Sequence, residues 1–557
     1  MQFFIFIIIS FIGTVIHYYF LPLNDILKNA DSFAYLQMAS NLAQFKLEGF
    51  GTGWFGFLYS LFIAPFSFLF SDVFVLAKLL NLAFFAIGGL FLYKISRKYL
   101  NDTFVFIPLV LYYLSSSLIF FNIQALSENI YIPIFLALFY GLQKFSKEPN
   151  FIKSIGIGAI FTLMYFTRAE AFIYIGSVFL IFLFLIFAKK INFKEFSLYF
   201  ATIIISFFLL ISPYIYYMHT ITGEWGLTNK GSSNLRQATM RGIDKMDDSG
   251  FEQAVGELTP DKHHLIAGFA GGLQYDKSYS TGSTKDFLIG NPSKTINRIK
   301  ENQIKLYSQN IPKILVGDYL KLAFDKTNSL YLRIFYISTS LLFLFSFLGG
   351  FYYFFRNNRN TFLVVFFSFF LTASFFFTIF FVLDRYFIIF LPIAFIFCAY
   401  FLENIKSSIK QFVFFVLFLA INISGLVIFY SENSRADSDY NIKKVAGNRI
   451  QENYSKKDND GKYFNTDTKI MERWPITTFY AGSKERWLTP YTDNLPDIIK
   501  YASYNNIDLL IVDNMDFATY RPGLKALLEG KDNYFGIEKV KEFQDWDKKL
   551  IIYKFKR

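Results

Sequence analysis

Asp31 and Tyr35 stand four residues apart in the stretch Asp31-Ser-Phe-Ala-Tyr35-Leu-Gln-Met-Ala39. On a helix that spacing puts both side chains on one face. A carboxylate facing a cavity at membrane level can act as a general base, taking a proton from an acceptor hydroxyl or amine. The alternative for Asp31 is a helix N-cap, a position that Asp favours. Further along, Ser127-Glu128-Asn129 opens an apolar run, where a carboxylate either complements the helix dipole or orients a substrate. Thr167-Arg168-Ala169-Glu170 lies between two apolar runs. Its arginine can offer forked donors to a phosphate or form a plain ion pair with Glu170. Asp384-Arg385-Tyr386, with Pro392 beyond, poses the same choice between phosphate ligand and interfacial anchor.

Other chemistries find little support. His17 and His219 are isolated, His263 and His264 are adjacent, and the single cysteine, Cys398, lies within an apolar run. Adjacent histidines on one helix cannot face the same ion, so no metal site is expected. Neither a disulfide framework nor a cysteine cage can be built. No Walker, dinucleotide-glycine or His-Glu-x-x-His pattern occurs, and no cofactor is expected.

The elements that must position these residues are membrane spans. Hydrophobic residues make up 54% of the 557 positions and charged residues 18%, against about 25% charged in soluble domains. Apolar stretches rich in Phe, Ile and Leu alternate with short charged loops, and a helix needs about 20 such residues to cross the hydrocarbon core. The short alternating segments of a membrane β-barrel are absent. The expected spans are 3–21, 73–93, 103–121, 128–145, 153–167, 171–188, 196–218, 329–354, 361–382, 386–402 and 411–430. The first lacks the basic n-region and cleavage site of a signal peptide and reads as a retained span. The net charge of +12 does not point to nucleic acid, because many of the cations sit in short loops between apolar runs.

Segment 55–70 is short and carries Gly56 and Pro65. If it does not cross, one side of the membrane receives Lys94, Arg97, Lys98, Lys144, Lys147, Lys153, Lys189, Lys190, Lys194, Arg356, Arg359, Lys406 and Lys410. The other side's short loops keep little beyond Arg168 and Arg385. That is a positive-inside pattern with a cytoplasmic N-terminus, so 55–70 is taken as non-spanning. Three long segments then face outward: 22–72, 219–328 and 431–557. Within the second, Asn291-Pro292 starts a basic amphipathic helix, lying on the lipid surface or simply solvated. The third changes composition. Asp508–Asp513 and Leu550–Phe555 read as strands, Asn494–Tyr504 as a helix, and Arg521-Pro522-Gly523 as the start of another. The expected fold is an all-α polytopic membrane domain of about eleven spans over 1–430, followed by a small extracytoplasmic α/β domain over 431–557. In this topology Asp31, Lys78, Glu128, Arg168, Glu170, Asp384 and Arg385 all fall near outer span ends or in outer loops, as around a polar cavity open to the outside.

Taken in order, these pieces resemble the GT-C superfamily of polyprenyl-phosphate-sugar glycosyltransferases. The nearest branch holds the bacterial protein O-mannosyltransferases and the aminoarabinose transferase of lipid A. In that family an acid four residues before a tyrosine in the first outer loop is the proposed base, matching Asp31 and Tyr35; the second acid many members carry is here Ser32. The juxtamembrane segment keeps Gly56 and loses its flanking prolines. Ser127-Glu128-x-x-Tyr131, Thr167-Arg168-x-Glu170, Arg385-Tyr386 with Pro392, and Gly223-x-Trp225-x-Leu227-x-x-Lys230 resemble further family elements. So do Arg473-Trp-Pro475 and Phe479-Tyr-Ala-Gly482 in the tail. The resemblance implies inverting transfer of a hexosyl or pentosyl group from a polyprenyl-phosphate donor to an extracytoplasmic lipid, glycan or protein. Asp31 would be the base and Glu128 would orient a substrate. Arg385, Arg168, Lys230 and Lys78 would hold the phosphate, and Tyr35, Tyr131, Tyr386 and Glu170 would line the pocket. It implies a bacterial inner-membrane location, a lipid-linked sugar, membrane lipids and an envelope acceptor as partners, and no nucleic acid. The rival readings are a flippase for a lipid-linked substrate, which would favour midplane polar sites and repeated halves, and a polysaccharide polymerase or ligase.

Overall fold

Backbone at membrane depth finds no water to bond, so apolar runs satisfy their amides internally as helices. The computed structural model describes residues 2–20, 30–51, 55–70, 72–222, 225–227, 292–316, 330–357, 360–380, 383–454, 467–473, 475–483, 486–489, 494–520, 522–531 and 533–556. Its helices are α1 (Gln2–Phe20), α2 (Ala30–Ala43), α3 (Leu58–Leu69), α4 (Val73–Ser96), α5 (Phe104–Leu114), α6 (Ser116–Asn122), α7 (Glu128–Lys147), α8 (Phe151–Thr167), α9 (Ala169–Phe187) and α10 (Phe193–Thr222). Further along the chain come α11 (Pro292–Lys305), which lies within the expected outer segment 219–328, then α12 (Leu330–Arg356), α13 (Asn360–Phe380), α14 (Leu391–Glu403) and α15 (Ser408–Tyr454).

Each of the eleven expected spans falls on helical structure. Among the described residues, seven helices are long and apolar enough to cross a membrane, or eight if the bent pair α5–α6 is one span. That pair turns by 53° at Ser115, whose backbone is extended. The expected spans on α7, α8 and α14 are not among the seven: α8 and α14 run to 17 and 13 residues, and α7 carries polar groups at both ends. Helix α3 consists of six α-helical residues followed by six in the tighter 3₁₀ form, well short of the ~20 needed to cross.

The chain divides into two compact units. The first holds Met1–Leu23, Phe55–Thr228 and Asn291–Asn433, and its interior is aromatic. Phe135, Phe139, Phe362, Phe366, Phe390 and Phe397 are buried and meet mostly edge to face, the arrangement ring quadrupoles prefer.

The second unit includes Asn24–Trp54 and Ser434–Arg557, so the first part of the expected outer segment 22–72 groups with the tail, while the rest of it, from Phe55, belongs to the first unit. Its sheet has β1 (Ile470–Glu472), β2 (Arg486–Leu488), β3 (Leu509–Asp513), β4 (Asn533–Tyr534), β5 (Ile537–Asp545) and β6 (Lys548–Phe555), in the order β2-β1-β3-β6-β5-β4. β1 pairs parallel with β2 and β3, and the other pairings are antiparallel. Both faces are covered. Leu510 and Val512 pack with α17 (Leu495–Tyr504), while Leu509 and Ile511 pack with Ile442, Ala446 and Ile450 of α15. A strand buried on both faces reads as a continuous apolar run, which is why Leu509–Asp513 was legible. α16 (Ile476–Tyr480) follows β1 and meets α2 through Phe479 and Phe33, whose rings are 5.9 Å apart at 73°.

Candidate active site

Glu128 is the first residue of α7 and its side chain is fully buried. It accepts hydrogen bonds on Oε1 from Nη1 of Arg168 and, at 2.6 Å, from Nε of Arg385. Arg168 stands in extended backbone at the break between α8 and α9, and its Nε donates to Glu170 at 2.6 Å. Arg385 lies in the 3₁₀ turn Asp384–Tyr386 that precedes α14. One carboxylate thus bridges two guanidiniums and one guanidinium bridges two carboxylates. Such charge-assisted bonds are among the stronger protein hydrogen bonds, and buried charges are tolerated only when paired in this way.

Aromatic rings close the cluster. The Arg168 guanidinium lies 5.8 Å from the ring of Tyr131 and 5.5 Å from that of Tyr386, within cation–π range. Tyr386 is itself stacked on Phe377 at 4.2 Å. The hydroxyl of Tyr131 is buried without a hydrogen-bond partner among the described residues. Side-chain exposure rises from none at Glu128 through 5% at Arg168 and 12% at Glu170 to 22% at Arg385, so Arg385 is the most exposed of these four.

The backbone leading into Glu128 is held by amides that ion-focused sequence reading passed over. Between the end of α6 and the start of α7 the chain is irregular, and its carbonyls need internal donors. Asn81 of α4 donates through Nδ2 to Asn122 O and Gln124 O, both at 2.8 Å, while its Oδ1 accepts from Tyr59 at 2.8 Å. Asn129 Nδ2 reaches Phe121 O at 2.9 Å and Gln124 O and Leu126 O at 3.0 Å. Asn122 Nδ2 in turn donates to His17 Nδ1 at 2.6 Å. The other ring nitrogen, Nε2, therefore carries the hydrogen and donates to Tyr113 O at 3.0 Å. His17, isolated in the sequence, is a fastening of this network. The signal that marks these residues is an amide within an apolar helix, since a polar side chain there must find partners.

On the Arg168 side, Gly56 lies against the backbone carbonyls of Phe166 and Thr167, closer than any Cβ could approach. The retained glycine of the juxtamembrane segment thus lets α3 abut the end of α8 directly.

The structure therefore gathers Glu128, Arg168, Glu170, Arg385, Tyr131 and Tyr386. Lys78 is buried in α4, three residues before Asn81, with its ammonium 4.8 Å from the Phe74 ring. Asp31 and Tyr35 belong to the second unit. There Asp31 is the second residue of α2, inside the first turn rather than at the cap, and Tyr35 is buried one turn on. Lys230 lies outside the described residues, as do His263 and His264. For Asp384 only the backbone is described.

Comparisons with family models and with curated proteins return no match. Solved structures do match. Oligosaccharyltransferase AglB from Archaeoglobus fulgidus, in complex with an inhibitory peptide and a dolichol-phosphate, aligns with a TM-score of 0.54 at 12% identity, covering 93% of this chain and 71% of that one. ArnT from Cupriavidus metallidurans, bound to undecaprenyl phosphate, aligns with a TM-score of 0.53 at 9% identity, covering 98% of this chain and 97% of that one. The chain has the GT-C fold. At such identities the likeness is one of fold. Within that GT-C fold, the Glu128–Arg168–Arg385 cluster is a buried ionic centre of the first unit among the described residues, and Asp31 stands in the first turn of a helix that packs on the tail.

Proposed function

We propose that this protein is a glycosyltransferase of the GT-C type, taking a sugar from a polyprenyl-phosphate donor and passing it to an extracytoplasmic acceptor. The observation that carries this reading is the pair of arginines, Arg168 and Arg385, drawn together on Glu128 at the expected outer ends of their helices. Two guanidiniums at an interfacial depth form a receptor for a phosphate. The solved GT-C structures that hold dolichol-phosphate or undecaprenyl phosphate support the same donor class.

In this reading the more exposed Arg385 meets the donor phosphate, and Arg168, held between two carboxylates, positions it from behind. Lys78 and Lys230 add positive charge. Glu128 acts through the arginines, fixing their forks before the donor arrives, so that stabilising the leaving phosphate costs little reorganisation. Tyr131, Tyr386 and Glu170 line the donor side, and Tyr35 shares the face of Asp31. Asp31 takes the proton of the acceptor hydroxyl or amine as that atom bonds to the anomeric carbon. The bond from that carbon to the phosphate oxygen breaks, and polyprenyl phosphate departs with the electron pair. One displacement inverts the anomeric centre. The protein is read as residing in a bacterial inner membrane with its N-terminus inside.

The test compares wild type, Asp31→Asn and Arg385→Ala in liposomes supplied with radiolabelled polyprenyl-phosphate sugars and a crude envelope fraction. Transfer by wild type that is abolished by Asp31→Asn and weakened at the level of donor KM by Arg385→Ala is the expected result. Equal transfer by wild type and a folded Asp31→Asn would remove the base. Lipid movement between leaflets without any transfer would favour a flippase.

A further inference from the structure

At the opposite ends of α4 and α7, away from Glu128, lies a second set of charges with no acid paired into it among the described residues. Lys98 lies just past α4, and its ammonium is covered yet has no hydrogen-bond partner among the described residues. It rests 4.2 Å from the centroid of the Tyr140 ring, which the Lys144 ammonium also approaches, at 4.8 Å. Lys94 lies 5.5 Å from the Phe91 ring, itself 6.3 Å from Tyr140. Tyr140, Gln143, Lys144 and Lys147 recur at the spacing of one face of α7. Gln143 is fully buried, and neither its amide nitrogen nor its amide oxygen has a partner among the described residues. Lys190, from beyond α9, brings one more cation onto Ser146 O at 3.4 Å.

Of the carboxylates close to these lysines in sequence, Asp102, four residues past Lys98, is exposed and Glu148 pairs with Lys153 at 3.2 Å; Glu403, at the end of α14, accepts from the Asn101 amide at 3.2 Å. Burial first, and then the neighbouring Lys147 and Lys144, depress Lys98 from the ordinary lysine value to about 8.

Lysines at the inner ends of membrane helices commonly extend their ammonium into water while the stem covers apolar surface. Lys98 does the reverse, enclosing its charge, and the neighbouring glutamine is enclosed with it. Basic pockets between helices on the cytoplasmic side are suited to anionic head groups. We propose that the inner ends of α4 and α7 form an anion site that takes a phosphate group, with Lys98 as its buried contact, Lys144 and Lys147 at its mouth and Gln143 as a neutral donor. The phosphate belongs to a membrane lipid head group or is free in the cytoplasm. The site is separate from the arginine pair, and it stands or falls independently of the glycosyltransferase reading.

The test uses the full chain in neutral detergent, following the thermal unfolding midpoint against dioctanoyl phosphatidate, dioctanoyl phosphatidylcholine and inorganic phosphate, since a ligand of the folded state raises the midpoint in a saturable way. Phosphatidate is expected to stabilise wild type and Arg385→Ala alike, with an apparent Kd at least tenfold weaker in Lys98→Gln and about threefold weaker in the exposed-site variant Lys144→Gln. Should Lys98→Gln fail to fold, Lys144→Gln decides. Inorganic phosphate acting as well as phosphatidate identifies a free-phosphate site, and phosphatidate acting alone identifies a lipid site. An unshifted Kd in the folded lysine variants, loss of binding in Arg385→Ala instead, equal binding of phosphatidylcholine, or no saturable shift in wild type would each overturn the proposal.

Discussion

Arg385 Nε donates to Glu128 Oε1 at 2.6 Å across 257 residues of sequence, and the same oxygen receives Arg168 from 40 residues away. Three helix breaks, before α7, after α8 and before α14, are thereby tied to one buried carboxylate. The arrangement explains how side chains that each look like an ordinary interfacial anchor become a preorganised pair.

Replacing Glu128 by Gln leaves two partly buried guanidiniums facing a neutral amide. Removing one partner of a buried ion pair costs about 3–5 kcal/mol. A clear fall in the thermal midpoint of the purified protein is therefore expected, together with loss of sugar transfer. An unchanged midpoint would mean that the carboxylate does not hold the arginines.

Asn81→Leu keeps the branched outline of the side chain but removes its donor to Asn122 O and its acceptor for Tyr59, and leaves Gln124 O only its bond from Asn129. A buried polar group left without a partner costs about 1–3 kcal/mol, and the segment that presents Glu128 loosens. Asn81→Leu is expected to lower both stability and transfer, whereas a leucine at the exposed Lys94 changes neither. Wild-type stability in Asn81→Leu would show that other groups close this backbone.

Gly56→Ala adds a single methyl group, but that group would meet the backbone carbonyls of Phe166 and Thr167, which cannot move aside as a flexible side chain can. Forcing extra volume into a packed contact costs about 1–3 kcal/mol, and the shift is transmitted to Arg168 next in the chain. The expected outcome is a raised donor KM with the protein still folded. A donor KM equal to wild type would break the link between α3 and the arginine.

In the tail, Glu472 at the end of β1 is fully buried and accepts from Thr478 N at 2.6 Å and Thr477 N at 3.3 Å. Burial raises its carboxyl to about 7, opposed by Lys443 and these hydrogen bonds. Lys443 itself, raised by Asp513, Asp516 and Glu472 against the effect of burial, stays charged throughout the neutral range. The folded state therefore binds more protons than the unfolded chain between about 4.5 and 7, so stability contributed by this group falls as pH rises through that window. Asp516, raised chiefly by burial, acts in the same sense. Wild type should lose stability relative to Glu472→Gln between pH 5 and pH 8, read as the difference in thermal midpoint of the two full-length proteins. Parallel curves would exclude Glu472 as the titrating group.

Much of this architecture was legible in the sequence because it rests on local rules. Apolar runs of span length became helices because lipid leaves the backbone no other partner. The strands read as Asp508–Asp513 and Leu550–Phe555 were legible from their largely apolar runs and lie on β3 and β6, whereas β5, Ile537–Asp545, alternates with charge and was not. The positions of Asp31, Glu128, Arg168 and Arg385 near the ends of helices likewise followed from the cost of placing charge mid-span. What only the tertiary structure decided was partnership. Arg168 beside Glu170 was an obvious local pair, yet its bond to Glu128 and that of Arg385 to the same oxygen depend on how α7, α8 and α14 pack. Asn81 carries no charge, and its role appears only when the carbonyls after α6 are brought to it. Lys98 and Gln143 looked like ordinary loop and helix residues until packing enclosed them. Local spacing sets helices and their polar ends, but which buried group meets which is fixed by contacts between segments distant in the chain.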